Sequence, residues 1–220
     1  MFLQISDVLS RDEVAVLRDK ILKHPEAFED GRKTAGWHAR DVKHNEQAKG
    51  NVASSILEFA EGRLLANPVF KAAANPKRFV RLLVSRYRPG MAYGTHVDDA
   101  LMGGVRTDLS FTLFLSDPEA YDGGALVVEG NDGETDVKLP AGSLVLYPTT
   151  TLHRVEEVTR GERIAIVGWV RSFIRAHDDR EILFDLENVI ADLRGSGIDR
   201  AILNRLFKVR ANLIRKWAED

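Results

Sequence analysis

The sequence predicts a mainly β protein: a double-stranded β-helix, or jelly-roll barrel, with helices before it and a helix hairpin after it. Two observations carry that expectation. Eight short β-rich runs follow one another between about residues 78 and 171, each broken by turn residues, and stretches with apolar residues at helical spacing flank them on both sides. The chain of 220 residues, 44% hydrophobic and 29% charged, is long enough for one well-packed domain and an appendage.

Taken in order, Ser10 and Glu13 form a Ser-x-x-Glu capping box, and Val14, Leu17 and Ile21 follow at helical spacing, with His24-Pro25 as the stop. Residues 26–48 contain GRKTAGWHARDVKHNEQ, which is polar and irregular and reads as a loop with one short strand, placed to cover the barrel mouth. A second helix is expected from Asn51 to Ala66, closing before Asn67-Pro68.

The eight runs are RFVRLLVSRY, AYGTHVD, TDLSFTLFLS, ALVVE, ETDVKL, SLVLY, LHRVEEV and RIAIVGWVR. The breaks include Arg88-Pro89-Gly90, Gly103-Gly104, Asp122-Gly123-Gly124, Gly130-Asn131-Asp132-Gly133 and Pro140-Ala141-Gly142. Many short strands at close spacing favour a barrel over a parallel α/β sheet.

Beyond residue 177, Ile182, Leu186, Val189, Ile190 and Leu193 form one apolar stripe. Gly195-Ser196-Gly197 makes a turn, and Ile202, Leu206, Val209, Leu213 and Trp217 form a second stripe. This hairpin must bury its face on the barrel or on a second chain, so a homo-oligomer through the C-terminal helices is one of two expected arrangements. The expected division is a domain over 1–176, comprising N-terminal helices over 1–77 and a barrel core over 78–174, followed by a helical extension over 177–220.

Composition narrows the function. A net charge of −2 offers no basic footprint, so no nucleic-acid partner is expected. The absence of cysteine removes disulfides, thiolate metal sites and a cysteine nucleophile. No signal peptide and no run as long as a membrane span are read, so the expectation is a cytoplasmic enzyme or binding protein with no membrane partner.

His-x-Asp occurs twice. His177-x-Asp179 sits where a helix begins, and Asp178 with Glu181 has capping-box spacing, so its reading is an N-cap. His96-x-Asp98 follows a Pro-Gly turn on a strand, where residues i and i+2 share a face. On the tripeptide alone, a solvent-facing pair in a loop is the slightly favoured reading. His153, 55 residues beyond Asp98 on another strand, supplies a third candidate ligand. Two histidines and one carboxylate hold one face of an octahedral metal and leave three positions open, which suits non-haem Fe(II) and oxygen. A structural zinc site would want four closed ligands, usually with thiolates. Arg163 opens the last strand, sharing a face with Ala165, Val167 and Trp169. Pointing inward it needs an anion; pointing outward it is a surface residue beside the Arg160-Gly161 turn.

With these residues in place, the stretch SRYRPGMAYGTHVDD and the run RTDLSFTLFLSDPEAYDGGALVV resemble the iron(II)- and 2-oxoglutarate-dependent oxygenases of the prolyl-4-hydroxylase-like branch. Tyr87 stands nine residues and Tyr93 three residues before His96, and Trp169 stands six after Arg163. The whole-chain layout is similar to a bacterial group, the PKHD-type hydroxylases associated with iron uptake. The resemblance implies that His96, Asp98 and His153 bind Fe(II) and that Arg163 holds the distal carboxylate of 2-oxoglutarate. Tyr87, Thr112 and Trp169 would help bind the cosubstrate, and Tyr93 would line the substrate side. Where relatives place a tyrosine near that carboxylate, this chain has Phe114, and Ser110 or Thr112 is expected to compensate. The implied reaction converts 2-oxoglutarate and O2 to succinate and CO2 while hydroxylating a small-molecule or peptide substrate, with L-ascorbate as an auxiliary reductant. The rival reading is a non-catalytic cupin-like protein that binds a metal or small molecule. Arg163 separates the two, because a metal sensor needs no carboxylate clamp.

Overall fold

The computed structural model describes residues 1–36, 39–130 and 132–220; Trp37 and His38 of the expected mouth loop, and Asn131 of the expected turn, lie outside them. Each of the eight runs contains a strand: β1 (Pro76–Tyr87), β2 (Ala92–His96), β3 (Leu109–Phe114), β4 (Leu126–Gly130), β5 (Gly133–Val137), β6 (Leu144–Pro148), β7 (His153–Val155) and β8 (Arg163–Ser172). One antiparallel sheet carries β6, β3, β8 and β1 in that order, and a second carries β5, β4, β7 and β2. The chain crosses between the sheets at every connection except the β4–β5 hairpin. That is jelly-roll topology, and it places β2 beside β7 although four strands separate them in sequence.

Alternation sorts the side chains of the first sheet. In β3, Leu109, Phe111 and Leu113 join the core beneath the helices, whereas Phe114 packs with Tyr87, Tyr121, Val145 and Tyr147 between the sheets. All six β3 residues are buried, because this central strand is covered on both faces. In β8, Ile164, Ile166 and Val170 face the helices, so Arg163 and Val167 turn to the interior cavity.

The covering layer is α1 (Arg11–Leu22), α2 (Gly50–Ala66) and α3 (Pro68–Ala74). The Ser10–Glu13 capping box forms reciprocally, and Val14, Leu17 and Ile21 are buried as the periodicity requires. The helix α3 lies beyond the expected stop at Asn67-Pro68. Asn67 instead caps it by accepting from the Phe70 N–H, with proline at the first position where no N–H is needed. Asn75, in the left-handed region at φ 42°, ends it.

Two expectations are corrected. Among the described residues of 26–48 there are three short strands rather than one. Phe28–Asp30 and Glu46–Ala48 extend the first sheet past β1, and Lys43–His44 extends the second past β2, so this segment bridges both sheets. Strands of two or three residues carry no periodicity to read. The capping box at Asp178 does not form: α4 (His177–Arg194) begins two residues earlier than that cap requires, after Ala176, which makes no side-chain cap. Asp178 and Asp179 lie inside the first turn, where they complement the helix dipole. The helix α5 (Arg200–Trp217) completes the hairpin.

Candidate metal centre and cosubstrate pocket

His96 ends β2 and His153 begins β7, and the two are direct cross-strand partners. Asp98 lies two residues past the end of β2, so strand alternation does not aim it. A hydrogen bond does: the Ser110 hydroxyl on β3 donates to Asp98 Oδ2 at 2.6 Å, with Thr149 Oγ1 at 3.3 Å from the same hydroxyl. All three side chains are buried, with at most 7% of any one accessible. Asp98 Oδ1 is 3.9 Å from His96 Nε2, and Oδ2 is 3.7 Å from His153 Nε2. The three donor atoms lie within 4.8 Å of one another, close enough to share one cation.

The backbone sets the histidine tautomers. His96 Nδ1 meets Gly94 O at 2.8 Å and His153 Nδ1 meets Thr151 O at 3.0 Å. A carbonyl accepts only, so each Nδ1 carries the proton and each Nε2 presents its lone pair toward Asp98. Burial, then the neighbouring His153, push the His96 imidazole down to about 4, so at neutral pH it is uncharged, the form in which an imidazole can accept a metal. Tyr93 stacks on the His96 ring, with centroids 3.7 Å apart, and fixes its plane.

Arg163 lies deeper in the same cavity. It is 1% exposed, and its Nε, Nη1 and Nη2 atoms have no hydrogen-bond partner. The guanidinium lies between the Tyr87 and Phe114 rings, 5.3 and 5.2 Å from their centroids. A desolvated cation with no bonded partner is costly, and its planar fork matches a carboxylate. Arg163 and the three clustered donors line one cavity.

Several contributors were not singled out in the sequence. Tyr121 is fully buried beside Arg163 and its hydroxyl also lacks a partner; burial raises its pKa, so it stays a donor. The Gly123-Gly124 turn seats it, since both glycines have positive φ (67° and 62°) and a side chain at Gly123 would collide with the Glu157 carbonyl. Tyr147 lies edge-on to His153 at 5.1 Å, close to Asp98, Thr112 and Arg163, with its phenol pushed well up by burial. The EAYDGG turn and the Tyr147-Pro148 end were the available signals, but each reads first as punctuation.

Of the sequence candidates, Tyr87 packs on Arg163, and Thr112 lines the cavity beside Tyr147. Ser110 serves Asp98, so it does not compensate for Phe114 at the far carboxylate. Trp169 pairs across strands with Ser110 and Arg81, which puts it at the metal end of the cavity, six residues along β8 from Arg163.

The comparisons with known proteins agree with this geometry. Residues 82–171 match the 2OG-Fe(II) oxygenase superfamily, and residues 178–219 match the PKHD-type hydroxylase C-terminal domain. A PKHD-type hydroxylase of Parvibaculum lavamentivorans is 52% identical over 221 residues, covering 100% of both chains. The chain belongs to the PKHD-type hydroxylases. Another member, from Acaryochloris marina, is 47% identical over 221 residues and again covers 100% of both chains. Among solved structures, a Pseudomonas putida prolyl-4-hydroxylase superposes with a TM-score of 0.56 at 22% identity, covering 78% of this chain and 92% of that one, which shows the shared fold. This PKHD-type hydroxylase is thus a 2-oxoglutarate-dependent enzyme, and the family implies Fe(II), 2-oxoglutarate and O2. The cupin-like binding protein is set aside. Among the described residues, no helix is long and apolar enough to cross a membrane.

Proposed function

We propose that this hydroxylase oxidises a substrate bearing a carboxylate or similar anion, held at the cavity mouth by Lys43, with iron-chelating metabolites as the first class to test. Fe(II) held by His96, Asp98 and His153 would supply, with 2-oxoglutarate and O2, the oxidising chemistry that yields succinate, CO2 and the hydroxylated product. Arg163 binds the distal carboxylate, and the Tyr121 hydroxyl donates beside it. This anchors one end of the cosubstrate and leaves little freedom at the other. Asp98 contributes one negative charge, kept in place by Ser110. The apolar walls around Arg163 exclude water and strengthen its ion pair.

The observation that carries the substrate reading is Lys43. It is buried, its ammonium donates to Thr34 Oγ1 at 3.2 Å and lies 5.1 Å from the Tyr93 centroid, and among the described residues no carboxylate comes within ion-pair distance of it. Burial lowers its pKa to about 8, and the nearby Asp98 opposes that shift. Trp169 and Arg81 line the same cavity. A buried cation beside the metal triad, separate from Arg163, calls for a second anion, and the substrate is the component that can bring it. The link to iron uptake and a role for L-ascorbate rest on the family resemblance alone.

The test is succinate release by the Fe(II)-loaded enzyme in the presence of hydroxamate, catecholate and carboxylate iron chelators, prolyl peptides, and carboxylic acids paired with their amides. Stimulation by anions that their amides do not reproduce, lost in Lys43→Met with the KM for 2-oxoglutarate unchanged, supports the reading. A neutral substrate turned over equally by both enzymes overturns it.

A further inference from the structure

Outside the cavity, the outer face of the C-terminal hairpin carries exposed apolar residues that the reaction does not explain. Helix α4 buries Arg180, Leu183 and Ile190, whereas α5 buries only Leu203. Ile182 and Val189 on α4 are 50% and 47% exposed, and Ile202 and Val209 on α5 are 42% and 48% exposed. With the half-buried Leu186 and Leu206 they repeat at i, i+4 and i+7 on each helix, and Leu193 and Leu213 continue the rows. That spacing is a coiled-coil seam rather than scattered surface residues.

The two seams share one side of the hairpin. The helices touch through the Glu187–Arg210 ion pair and through Arg194 over Phe207. At about 100° per residue, each seam lies roughly a quarter to a third of a turn from that contact. Because the helices run antiparallel, both rotations lead to the same side, away from α3.

Charge says what covers this side. Helix α4 carries six acidic and two basic residues, and α5 carries six basic and no acidic ones. Asp178, Asp185 and Asp192, spaced by seven, run along the outer edge of the α4 seam; Arg205 and Lys216 run along the outer edge of the α5 seam.

We propose that this face is a self-association surface, on which two chains pair hairpin to hairpin into a four-helix bundle about a two-fold axis parallel to the helices. Each α4 then lies antiparallel on α5 of the second copy. The level set by Glu187 and Arg210 brings Asp192 beside Arg205 of the partner subunit, and Asp178 beside Lys216 of the partner subunit. An axis across the helices would lay acid on acid and base on base, so charge selects the first arrangement.

Sedimentation equilibrium on the full chain tests this. The expected mass is twice that of the 24.6 kDa chain. Val189→Glu with Ile202→Glu should give a monomer with an unchanged circular dichroism spectrum and unchanged 2-oxoglutarate turnover. Asp192→Arg should weaken the dimer at least tenfold, and adding Arg205→Asp should restore it. A wild-type monomer across the micromolar range overturns the proposal, as does a dimer that survives the double glutamate variant or a charge swap that fails to rescue.

Discussion

The Ser110 hydroxyl donates to Asp98 Oδ2 at 2.6 Å and thereby aims a carboxylate that lies beyond the end of its own strand. Without that bond Asp98 sits in irregular chain, free to rotate out of line with the two histidines. Ser110→Ala should weaken metal binding by about 10- to 100-fold, the usual effect of losing a partner behind a metal ligand. Titration with Mn(II) followed by electron paramagnetic resonance measures it directly, and affinity equal to wild type would remove Ser110 from this role.

Arg163 makes an opposed pair of predictions. Its buried guanidinium has no hydrogen-bonding partner. Arg163→Met should raise the KM for 2-oxoglutarate at least tenfold, since each bond to a charged group is worth about 1.5–3 kcal/mol. The same change should stabilise the ligand-free protein by about 1–4 kcal/mol, the range seen when buried ions give way to apolar side chains. Urea denaturation with and without 2-oxoglutarate separates the two effects.

Tyr121 should behave as a weaker version of Arg163. Its hydroxyl is buried and unpartnered. Tyr121→Phe keeps the ring that packs in the inter-sheet core and removes only the donor. A loss of about 1 kcal/mol in cosubstrate binding, roughly fivefold in KM, is expected, with no loss of stability. Tyr121→Ala, which also empties the core, should cost about 3–5 kcal/mol by the cavity it leaves.

Lys43 gives the enzyme a pH signature. Its pKa falls from 10.5 to about 8 on folding. Between those values the unfolded chain holds the extra proton, so the stability of the ligand-free protein should rise with pH across that window. Below pH 8 the burial penalty is fully present, and Lys43→Met should relieve about 1–3 kcal/mol of it. Anion recognition runs the other way: the KM for an anionic substrate should climb above pH 8 as the ammonium discharges, while the KM for 2-oxoglutarate, for which Arg163 rather than Lys43 is the proposed anchor, should not. Thermal melts and paired KM profiles between pH 7 and 10 check both slopes, and a flat substrate profile would detach Lys43 from the substrate.

Periodicity and spacing in the sequence determined the barrel strands, the capped first helix, the C-terminal hairpin, and the set His96, Asp98, His153 and Arg163 as candidates. These are local or pattern-borne facts: strands announce themselves by alternation and punctuation, and a metal site by the chemistry of its donors. What the tertiary structure decided is which side chains meet. Tyr121, Tyr147 and Lys43 come from a turn, a strand end and a two-residue strand, none with a local signal of function. The jelly-roll crossings bring Tyr147 and Lys43 to one cavity and Tyr121 close to the Arg163 that lines it. Trp169 and Ser110 went the other way, placed by register at the metal end rather than beside Arg163. Register is a property of two strands together, so no single stretch of chain encodes it.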